Sequence, residues 1–151
     1  MIFSAKDYEF REESFTEILE QIKPTLALNH AETGIYNMPF NPDYDRYLYL
    51  DKCGDLKFYV ARFEGQIAGF AIFFIDTEIQ QKEVRSATQS VNYVCRNHRG
   101  MGYAFMKFCD DILRKQGINS VWRQASTKHD IGKVYERMGY TLIEKSYLRR
   151  L

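Results

Sequence analysis

The chain has 151 residues, 45% of them hydrophobic and 27% charged, which suits one folded domain spanning residues 1–151. A net charge of +1 gives no basic field that would predict a nucleic-acid partner, and the three cysteines lack the C-x-x-C spacing of a metal site. No apolar run has the length of a membrane span or the form of a signal peptide, so we expect a cytoplasmic protein with no membrane partner.

The first third of the chain predicts one short strand, two helices and a loop. A strand is expected at 2–5, and a capping-box pattern at 14–17 precedes apolar residues with helical spacing. Pro24 is expected to end or kink this first helix, or to begin a second one that runs to about Glu32. Residues 35–54 hold prolines and several Asn, Asp and Tyr, which favour a long, partly irregular loop.

The rest of the chain alternates strands with helices. A hairpin at 56–75 turns at Glu64-Gly65, and a polar connection is expected at 76–84. The later elements are a strand at 85–94, a helix capped by Gly117, a strand at 118–125, a short helix at 130–138 and a strand at 141–151. This mixed order predicts an α/β fold (α+β, one central mixed β-sheet flanked by helices), and 85–126 forms a βαβ crossover with parallel strands.

The segment 94–105 carries the strongest functional signal. A β-favouring run ends at Val94, Gly100 and Gly102 follow, and apolar residues at helical spacing begin at Phe105. The first N–H groups of a helix lack partners and carry partial positive charge, and glycine lets a ligand approach the backbone closely. We therefore predict a phosphate or pyrophosphate site at this turn.

The residue pattern of the turn separates three kinds of phosphate site. A P-loop needs Lys-Ser or Lys-Thr after the glycines, and a dinucleotide-binding turn needs glycine or alanine where Phe105 stands. Arg99-Gly-Met-Gly102-Tyr-Ala104 instead reads R-x-x-G-x-A, which resembles the acetyl-CoA-binding motif Q/R-x-x-G-x-G/A of the GNAT (GCN5-related N-acetyltransferase) family. Taken alone, the motif leaves open a plain surface turn that leads into an amphipathic helix.

A second segment extends the resemblance. Val134-Tyr135-Glu136-Arg137-Met138-Gly139-Tyr140 is similar to the Leu-Tyr-Glu-Lys-Leu-Gly-Phe segment of the family, with a helix and a strand between it and the glycine motif. The element order over nearly the full length also resembles the GNAT fold of a small single-domain member. The segments His30-Ala-Glu32 and Pro42-Asp43-Tyr44 and the hairpin are similar to small acetyltransferases encoded in phage and bacterial genomes.

The resemblance implies an enzyme that moves an acetyl group from acetyl-CoA to a primary amine of a small molecule, peptide or protein, by direct attack through a tetrahedral intermediate. Acetyl-CoA would lie in a splay between the strand ending at Val94 and the strand 118–125. The Val94 N–H would stabilise the oxyanion. Tyr135 would protonate the leaving thiolate, since a Tyr hydroxyl has a higher reference pKa than a thiol. The implied cofactor-binding residues are Tyr93, Val94, Arg99, Gly100, Met101, Gly102, Tyr103 and Ala104.

The sequence departs from the family in its general base. Many relatives carry a Glu on the strand before the glycine motif, but residues 86–93 contain no carboxylate. Glu32, Asp76 and His98 are candidates for the role, or the amine arrives already neutral. Lys128 stands where the family often has Asn, so no pantetheine contact is assigned there.

We expect the amine to enter between the second helix and the loop 35–49, where Glu32, as the catalytic or attracting acid, or a neighbouring acidic residue (Asp43 or Asp45) meets it. This region combines acids with aromatic rings, a composition suited to a cation. The aromatic residues are Tyr36, Phe40, Tyr44 and Tyr47. The alternative is that these tyrosines only pack the loop onto the core.

Two alternatives to an enzyme remain open at this stage. One is a non-catalytic acyl-CoA-binding module, favoured by the missing strand carboxylate. The other is a protein-interaction module that uses the aromatic-rich residues 36–49. A homodimer is compatible with the resemblance, and the scattered histidines form no metal motif.

Overall fold

The computed structural model describes residues 3–34 and 38–151, and these build one five-stranded mixed sheet whose strand order follows chain order. The strands are β1 (Tyr8–Glu12), β2 (Leu56–Phe63), β3 (Gln66–Glu78), β4 (Gln81–Val94) and β5 (Ser120–Trp122). Strands β1 to β4 pair with one another in antiparallel orientation, and β5 pairs with β4 in parallel orientation. This confirms the predicted mixed sheet and the βαβ crossover within 85–126.

Helices cover both faces of the sheet. They are α1 (Phe15–Thr33), α2 (Tyr44–Cys53), α3 (Gly102–Lys115) and α4 (Gly132–Arg137), with short 3₁₀ helices at Ala5–Asp7 and Arg96–Met101. Because side chains alternate along a strand, β2 sends Phe58 towards α1 and Tyr59 towards α3. Two apolar cores result, one between the sheet and α1 with α2, the other between the sheet and α3.

The predictions for the N-terminal region are partly wrong. The described part of 2–5 forms no strand, because Ser4 caps the 3₁₀ helix at Ala5–Asp7 and the first strand follows it. A second helix does not begin at Pro24, since α1 runs through this residue to Thr33. Burial of Ile22 and Leu26 on either side keeps the helix together despite a proline cost of about 3 kcal/mol.

The predicted irregular loop at 35–54 is also wrong over half of its length, because α2 occupies its second half. The Asp43 side chain accepts a hydrogen bond from the Arg46 amide at 3.0 Å, and Gly54 ends the helix with φ 80°. Tyr47 of this helix stacks on Phe15, with ring centroids 5.3 Å apart.

Four further segments differ from the predictions. Residues 76–84 are not a connection, since β3 and β4 extend through them as a long hairpin. The strand predicted at 118–125 shrinks to β5, and the helix predicted at 130–138 shrinks to α4. Residues 141–151 form no strand and are exposed. Their alternating pattern permits a strand, but a strand also needs a neighbouring backbone to pair with.

An ion pair fixes the corner where β1 passes into α1. The Arg62 guanidinium donates to both carboxylate oxygens of Glu13, at 2.8 and 2.7 Å. These hydrogen bonds outweigh the effect of burial and lower the pKa of Glu13.

We therefore expect Glu13→Gln to lower the free energy of unfolding at pH 7 by about 1–3 kcal/mol. A depressed pKa in the folded state gives stability above the unfolded pKa, and this stability is lost as the pH falls through the folded value. Urea denaturation should therefore show a larger difference from wild type at pH 7 than at pH 3. Equal losses at both values would contradict the assignment. Glu9→Gln, at an exposed pair with Arg11, should change little.

Candidate active site

A gap opens between β4 and β5 near the middle of β4. The two strands pair only from Ser86 opposite Ser120 to Thr88 opposite Trp122. Two residues later Ser90 is a bulge, because Gln89 lies opposite Phe73 while Val91 lies opposite Ile72. Beyond this point no described strand pairs with the β5-facing edge of β4. We refer to this gap, between Gln89–Val94 and the chain after Trp122, as the splay.

The backbone of Val94 faces the splay. The next amide, that of Cys95, donates to Ala68 O at 2.8 Å, on the β3 side. Because successive amides of an extended strand point to opposite edges, the Val94 N–H points away from β3. Arg99 Nε donates to Val94 O at 3.3 Å on this same side. The splay therefore offers a backbone donor to an incoming oxygen.

The glycine turn is helical throughout. Residues Arg96–Met101 form a 3₁₀ helix that continues directly into α3 at Gly102, whose N–H donates to Arg99 O. The hydrogen-bond geometry of a 3₁₀ helix is poorer than that of an α-helix, and such turns are frequent at the ends of α-helices. The amides at this helix start can therefore exchange a weak internal bond for a stronger one to an anion.

The two glycines of the turn are not required by the fold. Gly102 has φ −57°, and a Cβ there would lie 3.8 Å from Val94 Cγ2, an ordinary contact. A Cβ on Gly100 would meet nothing within 4 Å. The backbone at both positions therefore accepts other residues, and close approach of a ligand is the remaining reason for glycine.

At Gly69, by contrast, the packing of neighbouring atoms requires glycine. A Cβ there would lie 2.9 Å from Tyr93 O and 3.1 Å from Met101 Cε. The β2–β3 register also shifts beside Gly69. Gly69 lies opposite Val94 and lets the turn pack tightly against the end of β4.

Tyr135 stands over the narrow end of the splay. Its hydroxyl donates to Gln124 O at 3.2 Å and lies 3.5 Å from Gln89 Oε1, so it reaches both sides of the gap. The residue is 6% exposed. Burial raises the pKa of Tyr135, and the positive charge of Arg123 partly opposes this. The hydroxyl therefore keeps its proton at neutral pH, as a general acid requires.

Glu32, near the end of α1, lies beside the turn. Its carboxylate binds Arg99 Nη2 at 2.5 Å and Arg96 Nε at 3.3 Å. Burial would raise the pKa of Glu32, but the hydrogen bonds from the two arginines outweigh it and the pKa is lowered. The Ser126 hydroxyl donates to Thr33 O at 3.3 Å and ties the chain after β5 to the same end of α1.

Comparison with known proteins identifies the family. The model of the acetyltransferase (GNAT) family matches residues 23–140, well over half of the chain. The chain belongs to the GNAT family. Among curated proteins no match is found.

Solved structures of GNAT-like acetyltransferases share the fold over nearly the whole chain. A ribosomal-protein-alanine N-acetyltransferase from Brucella melitensis biovar Abortus 2308 has a TM-score of 0.75 at 20% identity, covering 95% of this chain and 97% of that one. A predicted acetyltransferase with acetyl-CoA from Clostridium acetobutylicum has a TM-score of 0.67 at 16% identity, covering 95% and 96%. An aminoglycoside acetyltransferase from an uncultured soil metagenomic sample, in complex with sisomicin, has a TM-score of 0.68 at 15% identity, covering 97% and 95%.

The predicted cofactor-binding residues of this GNAT protein lie together around the turn and the end of β4. Some of them expose a side chain to a ligand, and others expose only backbone groups. Met101 is 1% exposed, with its side chain in the core under α3, so only its backbone faces outward. Tyr93 is buried against α1, whereas Tyr103 is 45% exposed. Arg99 offers a side chain, and Gly100, Gly102 and Ala104 offer backbone. Binding roles for all of them remain predictions.

The three candidate bases do not lie together. Asp76 pairs with Ser86, roughly 27 Å along β4 from Val94 at a normal strand rise. It lines a separate cleft of about 630 Å³ between α2 and the sheet. His98 lies within the turn, but its Nδ1 is hydrogen-bonded to the Tyr8 hydroxyl at 2.9 Å, on the β1 side. Glu32 is the candidate that the structure brings to the turn.

The predicted acceptor wall is only partly in place. Tyr36 lies outside the described residues. Tyr47 stacks on Phe15, and Tyr44 lies under the Lys23 ammonium at 4.9 Å, so both serve packing of α2. Phe40 contacts the His30 ring, with centroids 5.4 Å apart, close to the end of α1.

Sequence reasoning missed Arg123, Gln89 and Asp110, which form a buried polar network beneath Tyr135. An arginine that follows an apolar strand gives no signal of burial.

Among the described residues, no helix is long and apolar enough to cross a bilayer. No group of three His, Cys, Asp or Glu side chains in the same part of the chain could hold a metal ion.

Proposed function

We propose that this GNAT protein transfers an acetyl group from acetyl-CoA to a primary amine. The observation that carries the proposal is the splay: the outward-facing Val94 amide lies along its β4 side, and the protonated Tyr135 hydroxyl lies at its narrow end, beside Gln89. A backbone donor and a buried acid are the two groups that acyl transfer from a thioester needs.

The residues fit acetyl-CoA. The helix start at Gly102 and the Arg99 guanidinium suit a pyrophosphate, and both glycines permit close approach. The side-chain oxygen of Asn92, a residue of the β4 segment that borders the splay, is buried and has no hydrogen-bond partner among the described residues. Such an orphaned acceptor calls for an explanation, and a ligand amide lying along β4 would supply the missing donor.

Acetyl-CoA, when bound, supplies an activated acyl group and a thiolate leaving group. The Val94 N–H donates to the oxygen on which negative charge develops, and its contribution grows with that charge. Tyr135 gives its proton to the departing sulfur. A Tyr hydroxyl suits this task because the raised pKa of the buried phenol keeps the proton on its oxygen at neutral pH, where it is available to the sulfur.

The absent strand carboxylate leaves the reacting amine to lose its proton to water. The depressed pKa of Glu32 makes this carboxylate a weak base. Its two partners, Arg96 and Arg99, belong to the 3₁₀ helix of the glycine turn. Phosphate oxygens bound at this turn would compete with the Glu32 carboxylate for the two guanidinium groups. We infer that binding of the phosphates releases Glu32 to attract the ammonium form of the acceptor.

Glu32→Gln should therefore separate the two substrates. Acetyl-CoA affinity should stay the same or rise, because Arg96 and Arg99 lose a competitor. The acceptor kcat/KM should fall by about tenfold, as expected for the loss of an ion pair with the amine. Calorimetry and steady-state kinetics measure the two effects. Glu20→Gln, an exposed change on the same helix, is the control. Acceptor kinetics equal to wild type would remove Glu32 from the site.

A thiol-release assay with a panel of primary amines tests the proposed function. We expect amine-dependent release of CoA, with an acetylated amine identified by mass spectrometry. The missing carboxylate on β4 favours a second candidate, a non-catalytic acyl-CoA-binding module. Tight acetyl-CoA binding without release above the hydrolysis background, for any amine, would favour that module and contradict the enzyme.

A further inference from the structure

Arg123 follows β5 and is a buried cation that joins several parts of the fold. Its side chain is 1% exposed. Nη1 donates to Gln89 Oε1 at 2.8 Å, and Nη2 donates to Asp110 Oδ1 at 2.6 Å. Nε donates to the Tyr140 hydroxyl at 2.9 Å. One guanidinium therefore links β4, α3 and the segment after α4.

Both carboxylate oxygens of Asp110 have hydrogen-bond partners within this network. Asp110 is 17% exposed, and its second carboxylate oxygen accepts a hydrogen bond from the Tyr140 hydroxyl at 2.8 Å. A buried ion pair contributes little net stability compared with apolar residues of the same size, because both charges lose their water. Stability alone is therefore a poor explanation for a network of this kind.

The network meets Tyr135 at the narrow end of the splay. Gln89 and Arg123 are the first residues beyond the last β4–β5 pair, so their hydrogen bond spans the point where the strands part. The same Gln89 oxygen lies 3.5 Å from the Tyr135 hydroxyl. The guanidinium carbon lies 5.8 Å from the centre of the Tyr135 ring, within cation–π range.

We propose that Arg123, held by Asp110, is a positioning residue for Tyr135, and this inference rests on the proposed role of Tyr135 as the acid. Arg123 fixes Gln89, and Gln89 keeps the Tyr135 hydroxyl at the splay. When the Tyr135 O–H bond breaks and the S–H bond of CoA forms, a phenolate is left beside the guanidinium. The phenolate then regains a proton from the water that takes up the proton lost by the amine.

The charges around Tyr135 agree with this role. Burial raises the pKa of Tyr135, the Arg123 charge lowers it, and Asp110 and Asp130 raise it. Of these groups, Arg123 is the cation, and it therefore offsets the cost of forming a phenolate in a buried site.

A double-mutant cycle tests the proposal. Gln89→Leu cuts the link and leaves the Arg123–Asp110 ion pair intact, so its fold should be preserved. Arg123→Lys keeps the charge but loses the forked geometry. Each is measured in the wild-type and Tyr135→Phe backgrounds. We expect each change to lower kcat by about fivefold to fiftyfold in the wild-type background, with KM for acetyl-CoA changed less than about twofold. In the Tyr135→Phe background kcat should fall less than about twofold further.

The matched control is Arg114→Lys, at an exposed pair with Asp111 on α3, which should leave kcat unchanged in both backgrounds. Melting temperatures identify any variant that fails to fold, in which case Gln89→Leu decides. Equal losses in both backgrounds would overturn the positioning role while the acid role of Tyr135 stands. If Tyr135→Phe itself leaves kcat unchanged with chemistry rate-limiting, the acid role fails, and the positioning role fails with it.

Discussion

Replacing Tyr135 by Phe is expected to lower kcat by about a hundredfold or more, the usual contribution of general acid catalysis. The ring remains and continues to pack against Tyr140, but the proton that the leaving thiolate needs is gone. Acetyl-CoA binding should change little, because the hydroxyl donates to Gln124 O and Gln89 rather than to the turn. Stopped-flow or quench measurements of the acetyl-transfer step give the relevant rate.

Tyr147→Phe is the matched control, since this tyrosine is 91% exposed. It should leave kcat unchanged. A loss of less than about threefold in Tyr135→Phe, with acetyl transfer shown to be rate-limiting, would remove the acid role. The thiolate would then leave without protein assistance, and the proposed function would depend on Val94 and on binding alone.

Gly102→Glu should weaken acetyl-CoA binding by about a hundredfold, since a like charge placed at a phosphate site costs several kcal/mol. The same change should not harm the fold. Gly102 has a helical φ and space for a side chain, and an acidic residue in the first turn of a helix is stabilising. Stability and binding therefore move in opposite directions, which ordinary damage to the structure would not produce. Calorimetry and thermal melting measure the two.

Two further variants separate size from charge at this position. Gly102→Ala adds one carbon at 3.8 Å from Val94 Cγ2 and tests only how closely the ligand approaches. Gly102→Gln has the length of Glu without its charge. The expected order of affinity is wild type, then Ala, then Gln, then Glu. Unchanged acetyl-CoA affinity in Gly102→Glu would show that the pyrophosphate does not bind at this turn.

Element boundaries could be predicted from the sequence where turn residues and the pattern of apolar residues indicate the same boundary. The hairpin over 56–75 was predicted correctly because Gly65 marks its turn, where it has φ 79°, a conformation that glycine adopts without strain. The end of β4 at Val94 and the start of helix at the glycines were equally clear, because an apolar run, glycines and a helical period follow in order. These two features place the candidate site.

The predictions failed where tertiary contacts decide. α2 was missed because Tyr47 and Leu50 form its buried side only once Phe15 and Phe74 are beside them. Pro24 did not end α1 for the same reason. Residues 141–151 alternate as a strand would, yet alternation cannot show whether an edge is present to pair with. The Arg123 network was invisible because an arginine in a sequence is normally a solvated surface residue.

The most direct test of the account is a crystal structure of the protein with acetyl-CoA. We expect density for the pyrophosphate at residues 99–104, the thioester carbonyl at the Val94 N–H, and the sulfur within hydrogen-bond distance of the Tyr135 hydroxyl. Density for the ligand elsewhere, for example in the cleft between Tyr47 and Phe74 at the other end of the sheet, would contradict it.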